Sequence, residues 1–155
     1  MGGEVSRWGS DAANKYYTVV GGSVFQLDDA ISKSNPVSQV IVDARALNTT
    51  AKDLGKSAPS MSLAQFKAAS YAGGALDFKP QLKATYGNAL WNAGDRTLVH
   101  NDKVGNAAWA YFGAQRMGLP TWMLKAGGEY QARKQTGKRD DPLDQQFIER
   151  GASIK

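Results

Sequence analysis

The chain contains no cysteine, a single histidine and five prolines in 155 residues. Without cysteine there are no disulfides, no thiolate zinc sites and no cysteine nucleophile. One histidine, His100, excludes any metal site with two imidazole ligands, so a divalent metal would have to rest mainly on carboxylates. No apolar run approaches about 18 residues, so no membrane-spanning helix is expected. The start lacks the apolar core of a secretory signal, so classical export by this chain is not expected. Met1 to Ser6 fits the myristoylation pattern in form only.

What is present suits one compact α+β domain over residues 1–155. Hydrophobic residues make up 42% and charged residues 21%, near the globular average. Four Trp, six Tyr and five Phe supply the bulk of a core. The net charge is +5, which suits nucleic acid, anionic lipid or an anionic wall polymer and does not separate them.

Short strands are expected in the N-terminal half, and mostly helix after residue 60. Tyr16 to Leu27, with Gly21-Gly22 in its middle, reads as a strand pair or a bent strand, and Val37 to Ala44 as a buried strand. Residues 48–60 are small and polar and read as a loop. Ser62 with Gln65 forms a capping-box pattern ahead of Leu63 and Phe66, with the helix ending near Gly73-Gly74. Asn106, a good N-cap residue, opens a helix to Met117 that Gly118 and Pro120 close. Trp122, Ala126 and Tyr130 recur at four-residue spacing in the next helix. Asp141, Pro142 and Asp144 mark the start of the last one, which Gly151 stops.

Three constellations carry candidate chemistry. Asp77 and Lys79 follow a glycine turn, as a base or metal ligand and a cation for a developing anion. His100 can exchange a proton near neutral pH, with Asp95 and Arg96 upstream to orient it. Asp140, Asp141 and Asp144 follow Lys134, Lys138 and Arg139. These carboxylates can bind a divalent cation or divide acid and base roles, beside cations for a phosphate. Glu129 is a further candidate acid. No P-loop, Gly-x-Ser-x-Gly or His-Glu-x-x-His motif occurs.

Three segments together resemble the bacterial polymorphic toxin type 44 family. Gly73-Gly74-Ala75-Leu76-Asp77-Phe78-Lys79 is similar to its Gly-Gly-x-Trp-Asp-x-Lys segment, with Leu76 in place of Trp. Gly105-Asn106 to Tyr111 and Gly113, then Leu124 to Gly128, are similar to its middle segments. Asp140-Asp141-Pro142-Leu143-Asp144 is similar to its closing signature. The likeness covers roughly residues 70–152 and leaves residues 1–60 outside, as a delivery-proximal segment or an N-terminal part of the toxin.

The resemblance implies an antibacterial effector domain, secreted on an Rhs, contact-dependent or type VI carrier and neutralised by a cognate immunity protein. The expected activity is a hydrolase. The leading expectation is a metal-free RNase in the target cytoplasm, with His100 as acid or base, Lys79 or Arg139 on the phosphate and Asp77 orienting. Lys134, Lys138 and Tyr111 would add substrate contacts. The alternative is a peptidoglycan hydrolase in the target periplasm, pairing Glu129 with Asp77, Asp140 or Asp141 and stacking sugars on Trp91 and Trp109. A non-enzymatic membrane-active toxin or binding module is the third reading, weakened by the lack of a long amphipathic stretch.

Overall fold

The computed structural model describes residues 2–3, 8–10, 16–27, 37–71 and 73–155. Most of the Met1 to Ser6 pattern lies outside them. The fold is α+β, and the chain forms two compact units. One comprises Met1–Leu47 and Lys79–Asn101, the other Asn48–Phe78 and Asp102–Lys155.

The first unit is built on a mixed sheet. Its strands are β1 (Gly2–Gly3), β2 (Trp8–Ser10), β3 (Tyr16–Val20), β4 (Ser23–Leu27), β5 (Gln39–Ile41), β6 (Ala89–Asn92) and β7 (Thr97–His100). Their order is β1-β5-β6-β7-β4-β3-β2. Gly21 and Gly22, at φ 57° and 81°, turn β3 into β4, as the sequence pattern predicts. Val20, Phe25, Leu27, Val40, Leu90 and Leu98 form the core cluster, with Val37 packed against it. The β5 strand is shorter than the predicted 37–44 span.

The β6–β7 hairpin was not legible in the sequence. Its turn places Asp95 and Arg96 at φ 50° and 54°, a left-handed conformation that arginine rarely adopts. The Thr97 N–H donates to the Gly94 carbonyl at 3.0 Å and closes the turn. Both Leu98 and Val99 are fully buried, so β7 is covered on both faces.

The second unit is helical. It contains most of α1 (Ala46–Ser57) and α4 (Asn101–Tyr111), and all of α2 (Leu63–Ala69), α5 (Thr121–Thr136) and α6 (Pro142–Ala152); α3 (Lys79–Tyr86) belongs to the sheet unit. Helix α1 corrects the predicted loop at 48–60. Leu47, Ala51, Leu54 and Ala58 are its buried stripe. Their intervals of four, three and four residues all fit a helix, but the Thr, Asn and Gly between them have low helix propensity and masked the pattern.

Helix α2 has the predicted capping box: the Gln65 N–H donates to Ser62 Oγ at 3.2 Å, and the Ser62 N–H to Gln65 Oε1 at 2.8 Å. Its Phe66 stacks on Trp109 and Phe112, with ring centroids 5.6 and 6.0 Å away. Helix α4 starts five residues before the predicted Asn106 cap. It runs into a π-helical turn, Phe112–Arg116, in which the Met117 N–H donates to the Phe112 carbonyl at 3.2 Å. Gly118 at φ 69° then ends it, with the Leu119 N–H reaching the Gly113 carbonyl. Gly151 of α6 lies so close to the Ala107 backbone that a Cβ there would collide with it. Among the described residues no helix is long and apolar enough to cross a membrane.

Candidate active site

Lys103 and Asn106 of α4, Glu129 of α5, and Asp140, Asp144 and Gln145 at the start of α6 are linked by hydrogen bonds among these three helices. Asp141 caps α6: its Oδ1 accepts from the Leu143 N–H at 2.9 Å, and Pro142 follows in the first turn. Asp144 is not the capping-box acid that its spacing predicts. Its Oδ1 accepts instead from Lys103 Nζ at 2.7 Å and from Asn106 Nδ2 at 3.0 Å, both on α4. Asn106 is thus an interior helical residue whose amide is a bridge, not a cap.

Lys103 is 2% exposed, and its ammonium also lies 3.5 Å from Asp102 Oδ2. The other Asp102 oxygen is buried with no hydrogen-bond partner among the described residues. A buried ammonium needs a close carboxylate to offset its desolvation, and Asp144 provides it. Sequence spacing gave no sign of this pair, because its partners are 41 positions apart.

Glu129 and Asp140 are neighbours. The Asp140 N–H donates to Glu129 Oε2 at 2.9 Å, and Arg133 Nε donates to Glu129 Oε1 at 2.8 Å. The backbone donor first, and the guanidinium second, hold the Glu129 carboxyl below its ordinary value. Asp140 moves the other way. Partial burial is the main cause, and the Asp144 and Glu129 charges add to it, against a 2.6 Å hydrogen bond from Gln145 Nε2. One carboxyl is shifted toward the ionised form and its neighbour toward the protonated form, the directions in which a base and an acid are tuned apart.

The remaining candidates divide between the units. Lys79 and His100 belong to the sheet unit, and Asp77 to the helical one. Asp77 Oδ2 accepts from the Gly73 N–H at 3.0 Å, and Lys79 opens α3. His100 ends β7 opposite Leu90. Asp95 and Arg96 do not orient it, since they form the turn at the other end of that strand, about 13 Å from it for four residues of strand. Among the described residues nothing hydrogen-bonds the imidazole.

Lys134 lies over the Tyr71 ring at 5.0 Å, and Lys138 and Arg139 are exposed. Tyr111 is a buried core residue beside Gly55, not a surface contact. The proposed sugar platforms are also corrected. Trp91 is 1% exposed and donates to Asn101 Oδ1 at 2.7 Å, and Trp109 is stacked on Phe66 and donates to Ser70 Oγ. Among the described residues no three His, Asp or Glu side chains converge to hold a metal. Asp140, Asp141 and Asp144 turn instead to Gln145, the helix cap and Lys103.

Comparison with family models, with curated proteins and with solved structures finds no match.

Proposed function

We propose that the chain is an antibacterial effector domain, of the kind the type 44 resemblance implies, that cleaves RNA by acid–base chemistry at Glu129 and Asp140. The observation that supports this most is the opposite displacement of these two adjacent carboxyls, next to the cations Arg133, Lys138 and Arg139. Glu129 keeps free lone pairs beside its two hydrogen bonds and takes the proton from a ribose 2′-hydroxyl. The 2′ oxygen then bonds to phosphorus, and the bond to the 5′ oxygen breaks. Asp140 gives its proton to that leaving oxygen. The products are a 2′,3′-cyclic phosphate and a free 5′-hydroxyl. The cations offset the charge that builds on the phosphoryl oxygens. The cognate immunity protein and the carrier are the partners that this reading requires.

Expression with and without a periplasmic export signal tests it. Growth arrest without the signal, with shortened cellular RNA, is the expected result. Glu129→Gln lowers RNA cleavage by at least about a hundredfold, the usual worth of a positioned base. Toxicity only with the signal overturns the RNA reading. Loss of cleavage in His100→Ala but not in Glu129→Gln moves the chemistry to the sheet unit.

A second reading, a peptidoglycan hydrolase, is favoured by the same carboxyl pair, since glycosidic hydrolysis also divides acid and base between two carboxyls. Muropeptide release that Glu129→Gln abolishes would establish it.

A further inference from the structure

We propose that the outward face of α5 is a track for a single strand of RNA, leading to Glu129. The proposal rests on the RNA reading above and adds how the substrate is held. Trp122 is 69% exposed and Tyr130 61%, the two most exposed large apolar side chains among the described residues. They belong to the four-residue stripe Trp122, Ala126 and Tyr130. At about 100° per residue, this stripe and Arg133 fall within roughly 80° of one another around the helix. Leu124 and Gly128, packed on Gly113 and Ile148, occupy the opposite side. Trp122 and Tyr130 therefore stand about 12 Å apart along the axis on a face that no described element covers. Glu129 is at the edge of the same face, between Ala126 and Arg133.

Charge identifies the occupant. From Thr121 to Arg139 the chain carries five cations, Lys125, Arg133, Lys134, Lys138 and Arg139, against the single carboxylate Glu129. This stretch is thus +4 of a whole-chain +5. Two of these charges are offset locally, Arg133 by Glu129 and Lys125 by Glu149. Lys138 and Arg139 stay exposed just past Gly137, and Lys134 is steadied over Tyr71. Exposed aromatic rings alternating with cations recognise a strand whose bases are unpaired: the rings stack on bases and the cations follow phosphates. A duplex hides its bases in the stack and offers only its backbone.

The full-length Glu129→Gln protein, which does not consume the probe, is titrated with a fluorescein-labelled uridine 12-mer and with an RNA duplex of equal length. The single strand is expected to bind more tightly. Trp122→Ala and Tyr130→Ala should each weaken it roughly ten- to a hundredfold. Lys138→Ala should lower the slope of log affinity against log salt by about 0.7. Both aromatic side chains are at the surface, so circular dichroism should stay unchanged. Equal affinity for the duplex, or indifference to both aromatic variants, overturns the proposal. So does Trp122-dependent retention on purified cell-wall sacculi without RNA binding. Trp122-dependent binding with no cleavage by the wild-type protein upholds the track and removes the nuclease reading alone.

Discussion

The two units solve burial differently. The sheet unit encloses an apolar cluster, and the one buried polar side chain among its described residues, Asn101, is neutral and bonded at both ends, to Trp91 and to the Gly87 carbonyl. The helical unit buries a charge, Lys103, with the carboxylates Asp144 and Asp102 beside it. Its shifted groups, Glu129, Asp140 and Arg150, are set by neighbours in space, whereas in the sheet unit Asp43 and Arg45 shift through contacts two positions apart. Burying a charge next to others changes what those others can do. The proton-transfer chemistry proposed here therefore belongs to the unit with the less economical interior.

The sharpest way to break this contrast is at Lys103. Asp144→Ala removes the closest carboxylate from the buried ammonium and should cost about 3–5 kcal/mol in urea unfolding. Lys103→Met in the same assay should cost much less, since an apolar side chain of similar length needs no partner. Equal losses would mean that the pair contributes as ordinary packing. In the sheet unit, Leu90→Ala should cost about 2–5 kcal/mol, the usual range for a buried leucine. Arg96→Gly should stabilise by about 1 kcal/mol, because it relieves a left-handed backbone. A loss there would show that the arginine side chain contributes more than its backbone costs.

The smallest expected effect sharpens the comparison through pH. Burial raises the Asp140 carboxyl above its ordinary value of 3.8. The folded state then holds that proton more tightly than the unfolded state. Stability falls as pH rises from 3.8 through the raised value. Asp140→Asn should therefore increase the melting temperature slightly at pH 7 and leave it unchanged near pH 3. An unchanged melting temperature at both pH values would remove Asp140 as the acid.

Local signals were the legible ones. The Gly21-Gly22 turn, the Ser62–Gln65 capping box and the Asp141-Pro142 start each rest on neighbours within a few residues, and each is present as expected. What failed was long-range. Asp144 looked like a cap acid because its spacing from Asp141 is right, but Lys103 offers it a stronger partner from another helix. Asn106 was misplaced for the same reason. Helix α1 was hidden because packing of Leu47, Ala51 and Leu54 overrides weak propensity. Glu129 and Asp140 are both candidate acids from the sequence, yet only folding makes them neighbours.

The order of the strands has a consequence in time. Gln26 of β4 lies parallel to Thr97 of β7, and Gln39 of β5 to Ala89 of β6. The middle of the sheet thus waits for residues made much later. At a synthesis rate of 5–20 residues per second, Gln26 emerges roughly 4–14 s before its partner. Pairings across such distances also form slowly. Asp140 and Asp144 come later still. A ribosome part-way along this message carries a chain that has neither its central strands paired nor its acid in place, so the proposed activity would be the last property the protein acquires.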